Sequence, residues 1–134
     1  MMDYTNFYKS IKTIAIVGLS DDPSRPSYRV AKFLMEKGFK IIPVNPNIDN
    51  FMGIRSRPSL AEIDEPVDVV DIFRRSEFVG PIVEDAIKIG AKSVWMQEGI
   101  TNEEAASNAR SAGLMVVMDM CMMKQYKKNS SGNS

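Results

Sequence analysis

The chain contains no histidine and a single cysteine, Cys121, among its 134 residues. Without histidine it lacks the commonest metal ligand and the usual general base at neutral pH. Ser-His-Asp hydrolysis, Cys-His proteolysis and histidine-based zinc sites are therefore excluded. A lone cysteine closes no internal disulfide, which excludes a secreted disulfide scaffold. Charge of one sign is also missing, since 17 Lys and Arg balance 17 Asp and Glu. Bulk attraction to nucleic acid or to an anionic membrane is not expected. No apolar run approaches the ~18 residues of a membrane span. The segment Met1 to Ser10 has no basic start leading into an apolar run, so no signal peptide is read. The expectation is a soluble cytoplasmic protein. At ~150 residues per domain the length corresponds to one domain.

What is present is regular punctuation. Gly38, Gly90 and Gly113 each follow a Lys- or Ala-containing turn and precede a β-rich run, as glycine does just past the end of a helix. The apolar runs are Thr13–Val17, Ile41–Val44, Val67–Phe73, Ser93–Met96 and Met115–Met118. They are near-continuous rather than alternating, which suits strands covered by helices on both faces. Pro43 lies inside the second run, and proline prefers strand edges or starts. Val79, Ile82, Val83, Ala86 and Ile87 form one helical stripe, and Val30, Ala31 and Leu34 begin another. Thr101 to Glu104 has capping-box spacing, with Thr101 at the N-cap, and Ser59 to Glu62 repeats it before a very short helix. Asn45 to Pro58 reads as a long loop. These signals predict an α/β fold: a single doubly wound, Rossmann-like domain over residues 1–123, with five parallel strands in the order 3-2-1-4-5. Residues 124–134 are polar and read as a frayed tail.

In such a sheet, ligands sit beyond the carboxyl ends of the strands where the strand order reverses, here expected between the first and fourth strands. The loop after the first strand is the most informative. Gly18 allows close backbone approach. The helix beginning near Ser27 offers unpaired N–H groups and a positive dipole end, suited to phosphate. Ser20, Ser24 and Ser27 add hydroxyls, while Arg25 and Arg29 add forked cationic donors. A plain polar loop with Ser27 as N-cap is the alternative. Six of the seven arginines lie between positions 25 and 75, Arg55 and Arg57 among them as solvated loop residues. The triple-glycine dinucleotide fingerprint is absent, and the second strand ends in Val44-Asn45-Pro46 without the carboxylate that holds an NAD ribose. The third strand ends in Phe73-Arg74-Arg75, cations that suit a ribose carrying its own phosphate. NADP and coenzyme A both remain open on these residues.

With those residues in view, the chain resembles the small single-domain coenzyme A-binding proteins, whose fold is similar to the N-terminal domain of the succinyl-CoA synthetase α subunit. The resemblance rests on Ile16 to Val30, Ile42 to Pro46, Pro66 to Arg75, Gly90 to Gln97 and Val117 to Cys121. It implies coenzyme A binding, with the pyrophosphate on Gly18, Leu19 and Ser20 beside Arg25, Pro26, Ser27 and Arg29. It places the adenosine near Asn45, Pro46, Phe73, Arg74 and Arg75, and the pantetheine arm along Gln97, Glu98 and Gly99. In one departure, Met120 stands where the family carries a basic residue, and Met122 to Tyr126 include no histidine.

Catalysis is not expected. Succinyl-CoA synthetase α subunits work through a phosphorylated histidine in a second domain, and this chain has no histidine. Glu98 and Asp119, at adjacent strand ends, are the candidate acid/base pair, with cap or solvated roles as the alternative. Asp71 lies inside a strand and reads as a structural acceptor. Cys121 is the one candidate thiol, reactive if exposed as thiolate and otherwise a small buried hydrophobe. Trp95 and the methionines near the C-terminus read as core. The expected function is a non-catalytic module for coenzyme A or an acyl-CoA, acting as carrier, sensor or partner of an acyl-CoA enzyme, with a homodimer left open. The alternative is an NADP-type oxidoreductase or regulatory protein.

Overall fold

The computed structural model describes residues 3–132. Met1, Met2, Asn133 and Ser134 lie outside that range, and with them the ends of the segment read for a signal peptide and of the polar tail. The elements in chain order are α1 (Thr5–Ser10), β1 (Thr13–Val17), α2 (Pro26–Glu36), β2 (Lys40–Val44), β3 (Asn50–Phe51) and β4 (Ile54–Arg55). There follow a 3-10 turn (Leu60–Glu62), β5 (Val69–Ile72), a second 3-10 turn (Ser76–Phe78), α3 (Val79–Lys88), β6 (Ser93–Met96), α4 (Glu103–Ser111), β7 (Met115–Val117) and α5 (Met122–Gly132). Five parallel strands form the main sheet, and all five expected runs supply one.

The strand order is β2-β1-β5-β6-β7. In the numbering of the expected strands this is 2-1-3-4-5, not 3-2-1-4-5. The third strand pairs with the first, Ile14 to Val17 against Val69 to Ile72, rather than with the second. This leaves β2 at the sheet edge, where Pro43 removes no ladder hydrogen bond from a central strand. The order reverses between β1 and β5, so the ligand crevice shifts there from the expected position.

Both sheet faces are covered. One layer packs Ala15, Val17, Val70, Ile72, Val94 and Met96 beneath α3 and α4. The other packs Ile14, Ile16, Val69 and Trp95 beneath α1, α2 and α5. Burial of each large side chain contributes on the order of 2 kcal/mol. Trp95 is core, as expected, and its indole Nε1 donates to the Met120 carbonyl at 2.7 Å. The ring lies 5.4 Å from Tyr4, 5.6 Å from Phe7 and 6.3 Å from Tyr8. Among the described residues no helix is long and apolar enough to cross a membrane.

Several local expectations change. The expected loop contains the β3–β4 hairpin, turned at Met52 and Gly53, both with positive φ, the backbone of a two-residue type I′ turn. Asn102, not Thr101, caps α4, its side chain accepting from the Ala105 N–H at 2.9 Å. As far as Gly132 the expected tail is helical, and α5 seats Tyr126 against Tyr8, Phe33 and Phe39.

Candidate functional site

The crevice forms where β1 and β5 end side by side. Gly18 leaves β1 with φ +87°, and a Cβ there would lie 2.8 Å from the Phe73 carbonyl oxygen and 3.0 Å from Arg74 Cδ. Its N–H donates to the Val44 carbonyl at 2.9 Å, tying the turn to β2 as well. Three strand ends thus meet at a residue that has no room for a side chain.

The loop that follows is held by its own polar groups. Ser27 is not the N-cap of α2. Its buried hydroxyl accepts from the Ser20 N–H at 3.0 Å, riveting the loop to the first turn of the helix. Ser20 Oγ accepts from the Asp22 N–H, and Asp22 accepts from both the N–H and the hydroxyl of Ser24. Those hydrogen bonds hold the Asp22 carboxyl below its ordinary value. Arg29 reaches back to the Ser24 carbonyl at 3.0 Å. The N-cap position is Arg25, with Pro26 at the start of the helix and no side chain capping it. The first-turn amides of an eleven-residue helix are therefore left for an external acceptor.

Two cavities flank Gly18. One of about 290 Å³ is lined by Gly18, Ser20, Arg25, Pro26, Ser27 and Phe73, at the start of α2. The other, about 190 Å³ on the α3 side, has Asn45, Pro46 and Arg74 in its wall. Asn45 donates through Nδ2 to the Leu19 carbonyl at 2.9 Å. Leu19 is fully buried and lines neither cavity. Arg74 lays its guanidinium 4.9 Å from the centre of the Phe78 ring. Arg75 points away, its side chain 83% exposed beside Glu77.

The residues expected along the pantetheine arm line neither cavity. Gln97 is buried and donates to Asp71 Oδ1 at 2.6 Å. Glu98 pairs with Lys124 at 2.9 Å. The Gly99 N–H donates to Asp119 Oδ1 at 2.7 Å, so Glu98 and Asp119 are engaged separately. Cys121 is buried at 8% exposure, the packing arrangement rather than the exposed one. Asp71 is an acceptor, as expected, but its second oxygen is buried without a partner. Burial pushes its carboxyl up to about 7, against the opposing pull of the Gln97 hydrogen bond. Sequence reasoning misses the Asp71–Gln97 pair as a unit. Its signal is a polar residue inside the apolar run of β5 and another just past the end of the neighbouring β6.

The fold is a Rossmann-like domain, and the chain belongs to the CoA binding domain family, whose model matches residues 12–127. It is similar to the uncharacterized protein YneT of Bacillus subtilis, 45% identical over 111 residues that cover 83% of this chain and 82% of that one. It is also similar to acetate–CoA ligase (ADP-forming) II of Archaeoglobus fulgidus, 28% identical over 100 residues, 73% of this chain but 15% of the ligase. A solved structure of a hypothetical protein from Pyrococcus horikoshii OT3 superimposes with a TM-score of 0.90 at 38% identity, covering 93% of this chain and 88% of that one.

Proposed function

We propose that the protein binds coenzyme A or an acyl-CoA in the cytoplasm as a carrier or sensor, without chemistry of its own, presenting it to an acyl-CoA enzyme. The observation that carries this reading is the uncapped start of α2 beside the cavity formed by Gly18, Arg25 and Phe73. No carboxylate lines that cavity, and its polar groups are hydroxyls, amides and a guanidinium. The Gly18 turn gives a phosphate direct access to backbone. The residues therefore fit a multiply phosphorylated ligand. Ser27 and Arg29 hold the loop in shape, while Arg25 and the α2 amides face the pyrophosphate. Asn45, Pro46 and Arg74 offer a surface and a charge for a phosphorylated adenosine on the other side of Gly18.

Calorimetric titration with coenzyme A, dephospho-coenzyme A, NADP and NAD tests the proposal. Coenzyme A is expected to bind tightest, with the dephospho form at least about tenfold weaker. Arg74→Ala is expected to weaken coenzyme A by about tenfold, while Arg75→Ala, at an exposed position, changes affinity by less than about threefold. NADP ahead of coenzyme A would replace this reading with a nicotinamide-nucleotide protein. Silence from all four ligands would remove the ligand altogether.

A further inference from the structure

The peptide unit joining Leu19 to Ser20 is held at both polar ends by side chains from different elements. Its carbonyl, on Leu19, accepts from Asn45 Nδ2 at 2.9 Å, and its N–H, on Ser20, donates to Ser27 Oγ at 3.0 Å. Asn45 follows the end of β2, and Ser27 lies in the first turn of α2. The carbonyl therefore points toward β2 and the N–H toward the start of α2, on opposite sides of the planar unit.

Asn45 is itself fixed in place. Its Oδ1 accepts from the Asn47 N–H at 2.8 Å, which turns Nδ2 toward Leu19. Its main chain is bracketed by Ser56, whose buried hydroxyl donates to the Asn45 carbonyl at 2.9 Å and accepts from the Asn45 N–H at 3.1 Å. The Arg57 carbonyl accepts from that same N–H at 2.9 Å, so the chain leaving the β3–β4 hairpin braces the end of β2.

Other amides of the loop are spent within the protein as well. The Gly18 N–H donates to the Val44 carbonyl, that of Asp22 to Ser20 Oγ, and that of Arg25 to the Asp22 carbonyl. The danger to a bound phosphate at the start of α2 is instead an acceptor turned the wrong way. Rotation about ψ of Leu19 and φ of Ser20 would swing the Leu19 carbonyl oxygen, with its partial negative charge, to the α2 side. The hydrogen bonds at the two ends of the peptide oppose that rotation.

We propose that Asn45 is a positioning residue for coenzyme A. Acting through the Leu19 carbonyl, it keeps that oxygen turned away from the pyrophosphate and touches no phosphate itself. The inference rests on the coenzyme A reading above and adds a residue that acts at one remove from the ligand.

The test combines calorimetry with amide hydrogen exchange by NMR on the full chain. In Asn45→Ala without ligand, the Ser20 amide is expected to exchange at least about tenfold faster than in the parent, while the Ile16 amide in β1 is unchanged. Coenzyme A is expected to bind about tenfold more weakly to the variant. Adenosine 3′-phosphate has no pyrophosphate, and its affinity, followed by chemical shift, should change by less than about twofold. Asn45→Ser, one bond too short to reach Leu19, serves where the alanine variant does not fold. A folded variant with the parent's coenzyme A affinity, or with the parent's Ser20 exchange, would overturn the proposal. Equal weakening of both ligands would do the same, by placing Asn45 against the adenosine itself. A parent that binds coenzyme A keeps the earlier reading whichever way the variants fall, and a parent that binds neither ligand removes both.

Discussion

Gly18 carries two separate requirements, a left-handed backbone and a missing side chain, and both follow from β1 meeting β5 at the crevice. Gly18→Ala is expected to cost about 2 kcal/mol or more, since the left-handed conformation alone costs an L-residue roughly 1–2 kcal/mol. The Phe73 carbonyl cannot move aside without disturbing β5. A lowered melting temperature together with weakened coenzyme A binding is the expected result, and an unchanged melting temperature would show that the turn relaxes freely. Asp71 permits a prediction of a different kind. Its carboxyl is protonated in the folded chain up to about pH 7, whereas its ordinary value is 3.8. Between those values the folded state holds a proton that the unfolded state has released, so stability falls as pH rises through this window. Each tenfold difference in proton affinity corresponds to about 1.4 kcal/mol, so the loss is on the order of a few kcal/mol. Asp71→Asn keeps an acceptor for Gln97 and removes the titration. Melting temperatures measured from about pH 5 to about pH 8 should therefore fall more for the parent than for the variant. Parallel curves would mean that Asp71 does not titrate in this window.

At the scale of elements, α5 shows what composition conceals. Its polar residues suggest a tail, yet Met122, Met123 and Tyr126 lie on one side of a helix and complete the core over α1 and α2. Tyr126 meets Tyr8 edge-on at 5.1 Å and Phe33 at 5.6 Å. Tyr126→Ala is expected to cost about 2 kcal/mol, the lower range for a partly buried aromatic. Ending the chain after Tyr126 is expected to cost less, because Lys127 and Lys128 are exposed and the Lys127 contact over the Phe33 ring is worth about 0.5 kcal/mol. Chemical denaturation of the two variants checks that order, and a larger loss from the truncation would reverse it. The same apolar logic underlies α1, where Tyr4, Phe7, Tyr8 and Ile11 follow the i, i+3, i+4, i+7 stripe. The strands are legible as five apolar runs because burial on both faces writes itself into composition. The hairpin within residues 45–58 is not, since two-residue strands leave no periodicity. Gly53 at its turn is the local signal there, and one glycine alone does not separate a hairpin from a loop. Capping is readable only to within a residue, Thr101 and Asn102 being equally competent by type.

For the whole molecule, the order of the strands is the feature hardest to read, because every permutation buries the same runs. One residue does discriminate. In the order 3-2-1-4-5 the second strand is interior and Pro43 would break a ladder on one of its sides, whereas at an edge it is tolerated. The change moves the crevice without dispersing the residues expected around it, since Gly18, Arg25, Asn45 and Arg74 all cluster at the ends of β1, β2 and β5. Gln97, Glu98 and Gly99 lie one strand farther on and make structural contacts instead. A molecule with no net charge has no long-range field to attract a polyanion, so any grip on coenzyme A phosphates must come from the few groups in contact. Over distances beyond the Debye length of about 10 Å at 0.1 M salt, the remaining charges are screened. Coenzyme A affinity is therefore expected to weaken by only a few-fold as salt rises from about 0.05 M to about 0.5 M. Arg74→Ala should flatten that dependence, while Lys124→Ala, a cation paired with Glu98 away from both cavities, should leave it intact. Calorimetric titrations at several salt concentrations provide the measurement. A steep decline shared by all three proteins would mean that diffuse charge, and not the arginine beside Gly18, holds the phosphates. No decline in any of them would assign the binding to apolar contact along the adenosine and the arm.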